Sequence, residues 1–164
     1  MMLKNSLTIP GIIIALLTTM YSCSPRNNDD SRYETLPVEG WCYGDTIVYP
    51  LELADTLVRG ELSVGLEHSP AYKYSNLWLE ITYATIADSC ETLVRDTLNI
   101  QLADSAGNWI GTGVASTYQL QSPPTTILLD ARKPLTVRHI MRTDTLKGIT
   151  RAGLFFQSST NRND

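Results

Sequence analysis

An all-β domain is the fold class this sequence predicts, built as a two-sheet β-sandwich of immunoglobulin-like or jelly-roll type. Three observations predict it. Short runs rich in Val, Ile, Thr, Tyr and Trp alternate apolar with polar residues, clusters of Gly, Pro, Asn, Asp and Ser separate them, and no helical period is sustained past residue 22. At 164 residues the chain suits one compact domain, and charged residues are sparse at 18%. The formal charge of -4 comes with no cluster of Lys and Arg, which argues against a nucleic-acid surface.

Residues 1–22 read as a targeting segment. Lys4 supplies a positive start, and Ile9 to Met20 forms an apolar core too short to span a bilayer. That core ends in Met20-Tyr21-Ser22-Cys23, where a small residue precedes a Cys as at the processing site of bacterial lipoproteins, although Met20 and Tyr21 depart from the usual box. Cys23 is then the first residue of the mature chain and carries the acyl groups, which anchor the protein to a membrane without spanning it. Residues 23–38, with Pro25, Arg26, Asn27, Asn28, Asp29 and Asp30, read as a flexible tether. The acidic pair echoes a surface-export signal of some lipoproteins and equally suits a solvated linker. Cys42 and Cys90 are the remaining cysteines. Export to an oxidising compartment makes them a possible disulfide, closing a loop of about fifty residues and stabilising by roughly 3–4 kcal/mol, with two buried free thiols as the alternative.

The sandwich is expected over residues 39–157. Thr46 to Leu53 alternates Ile47, Tyr49, Leu51 and Leu53 against polar neighbours, and Pro50 marks an edge position or a bulge. Glu61 to Leu66 puts Leu62, Val64 and Leu66 on one face. Leu77, Leu79, Ile81 and Tyr83 share a face opposite Trp78, Glu80 and Thr82, in what reads as a central strand. Asp96 to Gly113 reads as a β-hairpin: Leu98, Ile100 and Leu102 on one face, a turn at Asp104 to Asn108, and a return from Trp109 with Gly111 and Gly113 leaving room for the indole or a neighbouring backbone. Strands at Tyr118 to Leu120 and Thr125 to Leu129 flank a turn at Ser122-Pro123-Pro124. Leu135, Val137, His139 and Met141 alternate against Arg138 and Arg142, and Ala152 to Phe156 forms the last strand. Residues 158–164 read as a polar, disordered tail.

Little in the sequence carries chemistry. His139 falls in an apolar alternation and reads as a hydrogen-bonded, partly buried residue; His68 falls in a loop with no spaced partner for a metal. No nucleophile elbow, zinc helix, phosphate loop or dinucleotide fingerprint is present. Asp96 and Asp104 read as strand-end and turn residues. No catalytic residue, metal ligand or cofactor is expected. Tyr72, Tyr74 and Trp78, with a small basic strip from Arg138 and Arg142, form the candidate binding surface.

Several stretches carry a resemblance. They are Tyr72-Lys73-Tyr74-Ser75-Asn76-Leu77-Trp78-Leu79, Asp96-Thr97-Leu98, Leu102-Ala103-Asp104 with Gly107-Asn108-Trp109-Ile110-Gly111-Thr112-Gly113, and Leu146-Lys147-Gly148-Ile149-Thr150 with Gly153-Leu154. Together with Trp41, Asp45-Thr46, Met141-Arg142 and the lipoprotein signal, they closely resemble the gliding motility lipoprotein GldH family of the Bacteroidota. The resemblance implies a non-catalytic lipoprotein held on the outer membrane, its domain periplasmic. It also implies partners among other envelope lipoproteins or components of the gliding and type IX secretion apparatus. Residues 114–132 depart from the family pattern, with Pro123-Pro124 in a shorter loop. The alternative is a surface-exposed, glycan-binding sandwich that uses Trp78, Tyr72 and Tyr74.

Overall fold

The computed structural model describes residues 29–114 and 116–159. Twelve strands and no α-helix occur among them: β1 (Asp30–Thr35), β2 (Trp41–Cys42), β3 (Ile47–Tyr49), β4 (Leu57–His68), β5 (Asn76–Ala87), β6 (Cys90–Gln101), β7 (Thr112–Val114), β8 (Thr117–Gln121), β9 (Thr125–Asp130), β10 (Leu135–His139), β11 (Thr145–Leu146) and β12 (Ile149–Ser158). The larger sheet runs β1-β12-β4-β8-β7 with β9 also on β4; the smaller runs β3-β10-β5-β6, and β2 pairs with β11. Every pairing is antiparallel. The expected all-β sandwich is what the chain adopts.

The core lies between the two sheets. Leu77, Leu79, Ile81 and Tyr83 of β5 with Leu135 and Val137 of β10 face Leu62, Val64 and Leu66 of β4, Ile127 and Leu129 of β9, and Leu154 and Phe156 of β12. The two-residue period of these strands puts one apolar face of each inward. β5 is central, between β10 and β6, and β3 is an edge strand that stops at Pro50. Tyr49 ties the sheets together, its hydroxyl donating to the Ala152 carbonyl at 2.8 Å.

Four local expectations are corrected. Asp96 to Gly113 is not a hairpin. β6 pairs along its whole length with β5 through the two-residue turn Asp88-Ser89, both at positive φ, while β7 joins β8 in the other sheet. The turn at Asp104 to Asn108 does form, with Asp104 Oδ1 accepting from the Ala106 and Asn108 amides, but a single bridge from Ala103 to Trp109 is all the pairing it closes. Asp104 to Asn108 is therefore part of a corner that carries the chain from one sheet to the other. Of the two expected uses of Gly111, room for a neighbouring backbone is the one realised, that backbone being Gln119.

Second, Ser122-Pro123-Pro124, expected as a turn between two strands, is a bulge in one run along β4. β8 and β9 both run antiparallel to β4, with pairs Gly65 to Gln121 and Leu62 to Thr125, so the chain slips one residue between them. Two prolines lack the N–H that a continued ladder would need, and Ser122 spans the gap, its Oγ accepting from the Val64 amide at 3.0 Å.

Third, the tether ends earlier than residue 38. Asp30–Thr35 forms β1 on β12. Its pattern carries no apolar alternation because its main burial is of one ring: Tyr33 lies across Gly65 and Gly153, where a Cβ would collide with it, and against Phe155 at 5.4 Å. Asp29 and Asp30 are bound within the domain, Asp29 accepting from the Ser158 amide at 2.7 Å and Asp30 from Arg32 and the Glu52 amide. Fourth, Ser158 is buried at the end of β12 rather than part of a tail.

Candidate functional site

The candidate surface forms where β5 begins and β10 ends. Ser75 holds the chain ahead of β5, its carbonyl accepting from the Leu102 and Ala103 amides at 2.7 and 3.0 Å. From there the strand alternation sends Leu77 inward and Trp78 outward, where it is 42% exposed. Past His139 the chain stays alongside: the Ile140 amide donates to the Trp78 carbonyl at 2.9 Å, and the Trp78 amide donates to Met141 Sδ at 3.4 Å. The result is a groove of about 490 Å³ lined by Tyr74, Trp78, Ile140, Met141 and Arg142.

Five residues were expected at this surface, and the structure brings three together. Tyr74, Trp78 and Arg142 line the groove. Tyr72 is beneath it, 2% exposed, with its hydroxyl donating to the Asn76 carbonyl at 2.8 Å and its ring edge-on to Tyr74 at 5.6 Å. It supports the surface and is not part of it. Burial pushes its phenol well above the usual tyrosine range. Arg138 makes no basic strip with Arg142: its guanidinium forks onto Glu80 at 2.8 and 3.1 Å and lies over the Tyr43 ring. Hydrogen bonds from Arg138 hold the Glu80 carboxyl below the usual carboxylate range. Ile140 and Met141 were not among the expected residues, because alternation alone assigned Met141 to the buried face. The strand ends at His139 and the alternation ends with it.

Both histidines are fully buried. His139 Nε2 lies 3.1 Å from the Trp41 carbonyl, so that nitrogen carries the hydrogen, and Nδ1 is buried with no partner. His68 ends β4 instead of occupying a loop, ringed by Trp109 at 4.6 Å, Tyr118 at 5.3 Å and Tyr72 at 6.1 Å. Burial lowers both imidazole pKa values. Enclosed on all sides, neither imidazole is open to a substrate. Among the described residues no three His, Cys, Asp or Glu side chains group closely enough to hold a metal ion.

Cys23 lies outside the described residues. Cys42 and Cys90 are free and exposed, neither bridged nor buried. The registers explain why. Cys42 adjoins Trp41, which packs on His139, and His139 pairs with Leu79, whereas Cys90 closes the far end of the hairpin opposite Ala87. The run of β5 from Leu79 to Ala87 separates them by roughly 25 Å, and a disulfide needs Cα atoms within about 7 Å.

Residues 30–155 match the model of a protein family described as GldH lipoprotein. No curated protein matches the chain. Among solved structures it is similar to the crystal structure of the infectious bursal disease virus VP2 subviral particle, at 10% identity and a TM-score of 0.27 over 85% of this chain and 35% of that one. It is also similar to the structure of the infectious bursal disease virus Gx strain, at 14% identity and a TM-score of 0.21 over 85% of this chain and 34% of that one. The chain thus spans about a third of the length of either viral chain, and at TM-scores this low neither likeness bears on fold or function.

Proposed function

The chain belongs to the GldH lipoprotein family, and from that premise we propose that it does no chemistry, acting instead as a lipid-anchored envelope protein that offers the Trp78 groove to another envelope protein. In this reading acyl groups on Cys23 hold it to the outer membrane with the domain in the periplasm. In gliding species its partners belong to the gliding and type IX secretion apparatus.

One observation supports the interaction role. Trp78 and Tyr74, 42% and 41% exposed, stand beside Ile140, Met141 and Arg142 in one groove. Trp, Tyr and Arg supply most hot spots at protein interfaces, and aromatic residues and Met are enriched there. The groove is also stiff, because the Trp78 amide and carbonyl are both bonded to the 140–141 segment. A binding surface held in one shape loses little entropy on binding.

The test is a cross-linking pull-down of the full-length lipoprotein from intact cells, comparing the native chain with Trp78→Ala. Envelope proteins retained by the native chain should be lost from the variant. Equal retention by both overturns the assignment of the groove. The groove also suits the flat face of a sugar, with Trp78 and Tyr74 as stacking platforms. An empty pull-down together with a glycan-array signal abolished by Trp78→Ala would replace the protein partner with a glycan. Cys23→Ala should leave the protein unprocessed or soluble and without acyl groups, and a variant processed and acylated like the native chain would end the anchor assignment.

A further inference from the structure

Among the described residues β6 offers the longest free edge. The larger sheet has free edges at β1 and β9, six residues each, and at β7, three residues long; the smaller ends in β3, three residues long before Pro50, and in β6. β6 runs twelve residues in unbroken register with β5 from Cys90 to Gln101. It contains no Gly, Pro or Lys and no bulge; its charges are Glu91, Arg95 and Asp96, the last on the inner face opposite Ile81 and accepting from the Tyr83 hydroxyl. Counted from Ala87 and Cys90, which close the two-residue turn, alternate residues bond to β5. Glu91, Leu93 and Arg95 therefore direct their N–H and C=O groups outward. Leu93 is 61% exposed at this edge.

Charge decides what fits there. Antiparallel pairing about a two-fold axis keeps like faces of the two sheets on the same side, so odd-numbered residues oppose odd-numbered ones. An axis through Arg95 sets two guanidinium groups opposite each other, and one through Asp96 sets two carboxylates opposite each other. An axis through Val94 pairs Leu93 with Arg95. An axis through Leu93 pairs Glu91 of each copy with Arg95 of the other, Leu93 with Leu93, and Thr92 with Val94. The ion pair that Glu91 makes with Lys133, 3.4 Å long with both side chains half exposed, is weak enough to give way.

We propose that a second copy of this chain occupies the β6 edge, the two β6 strands pairing antiparallel about a two-fold axis at Leu93 and joining the two smaller sheets into one. The groove beside Trp78 lies on the face of that sheet and at the other end of β5, so the pairing leaves it open. Two anchored copies sharing a membrane meet at high local concentration, which favours even a short pairing.

The test uses the full chain in its native membrane with Cys42→Ser and Cys90→Ser as the parent. Adding Leu93→Cys and a mild oxidant should give a disulfide-linked species of twice the chain mass, while Thr97→Cys should give little. On the Leu93→Cys chain, Glu91→Arg or Arg95→Glu alone should lower the yield about tenfold, because two cross-strand pairs turn from attractive to repulsive, and the double exchange should restore it. These side chains are exposed, so the variants keep the fold. No doubled species, equal yields at positions 93 and 97, or single charge variants without effect would each overturn the proposal. An adduct of any mass other than twice the chain would assign the edge to a different protein.

Discussion

His68 and His139 make the stability of this domain depend on acid. Each is enclosed with one ring nitrogen unpartnered, and burial holds each folded pKa below the ordinary value of 6.5. The unfolded chain takes up protons in acid that the folded chain refuses. Stability is then full above about pH 6.5 and falls as pH drops from there through the lowered folded values, by at most about 1.4 kcal/mol per pH unit for each histidine. Denaturant midpoints measured from pH 8 to pH 5 should show this fall. His68→Phe, which keeps a ring against Trp109 and Tyr118, should flatten part of it; an unchanged slope would mean that His68 is protonated in the folded state. A second site is Gly65. A methyl group there meets the Tyr33 hydroxyl and the Phe155 ring, so Gly65→Ala should cost about 1–3 kcal/mol through overpacking. Thermal unfolding checks it, and the Gly65→Ala, Tyr33→Ala pair should cost less than the sum of its parts.

At the level of elements, two joints carry more than their sequence announces. Ser122 sits in the bulge between β8 and β9, bonded to both polar groups of Val64: its amide donates to the Val64 carbonyl at 2.8 Å and its hydroxyl accepts from the Val64 amide. Ser122→Ala leaves that buried amide bare and should destabilise by about 1–3 kcal/mol, read in denaturant unfolding; a change within noise would mean that water replaces the hydroxyl. The second joint is the β5-β6 hairpin. Its length carries Cys90, at the turn, away from Cys42, which lies in β2 beside the other end of β5. Both thiols of the folded protein should therefore alkylate fully without reductant, as mass analysis would show, and protection of both would mean a register other than the one described.

For the whole molecule, the groove and the core are separable. The Trp78 side chain is on the outer face of the smaller sheet, so Trp78→Ala should leave stability within about 0.5 kcal/mol, whereas Tyr49→Phe, which removes a buried hydrogen bond between the sheets, should cost about 1 kcal/mol. Comparing their melting curves tests the division. The inner faces of β5 and β10 were legible, Leu77 to Tyr83 and Leu135 to His139, because one face of each is buried and the pattern of side chains records it, whereas the ends of both strands were not. β1 was illegible, since its chief contact is one ring lying on two glycines from distant strands. Three of the five groove residues were legible too: Trp78 follows from the alternation of β5, while Met141 reaches the groove because the chain beyond β10 stays alongside Trp78 after the alternation has ended. What the sequence determined by itself was an all-β chain with its apolar residues assigned to inner faces, since hydrophobic periodicity is local. Which strands pair, where the chain changes sheet, that Cys42 and Cys90 stay apart, and which edge is left open were decided by the tertiary structure alone, because each depends on contacts between residues far apart in the chain that no local pattern encodes.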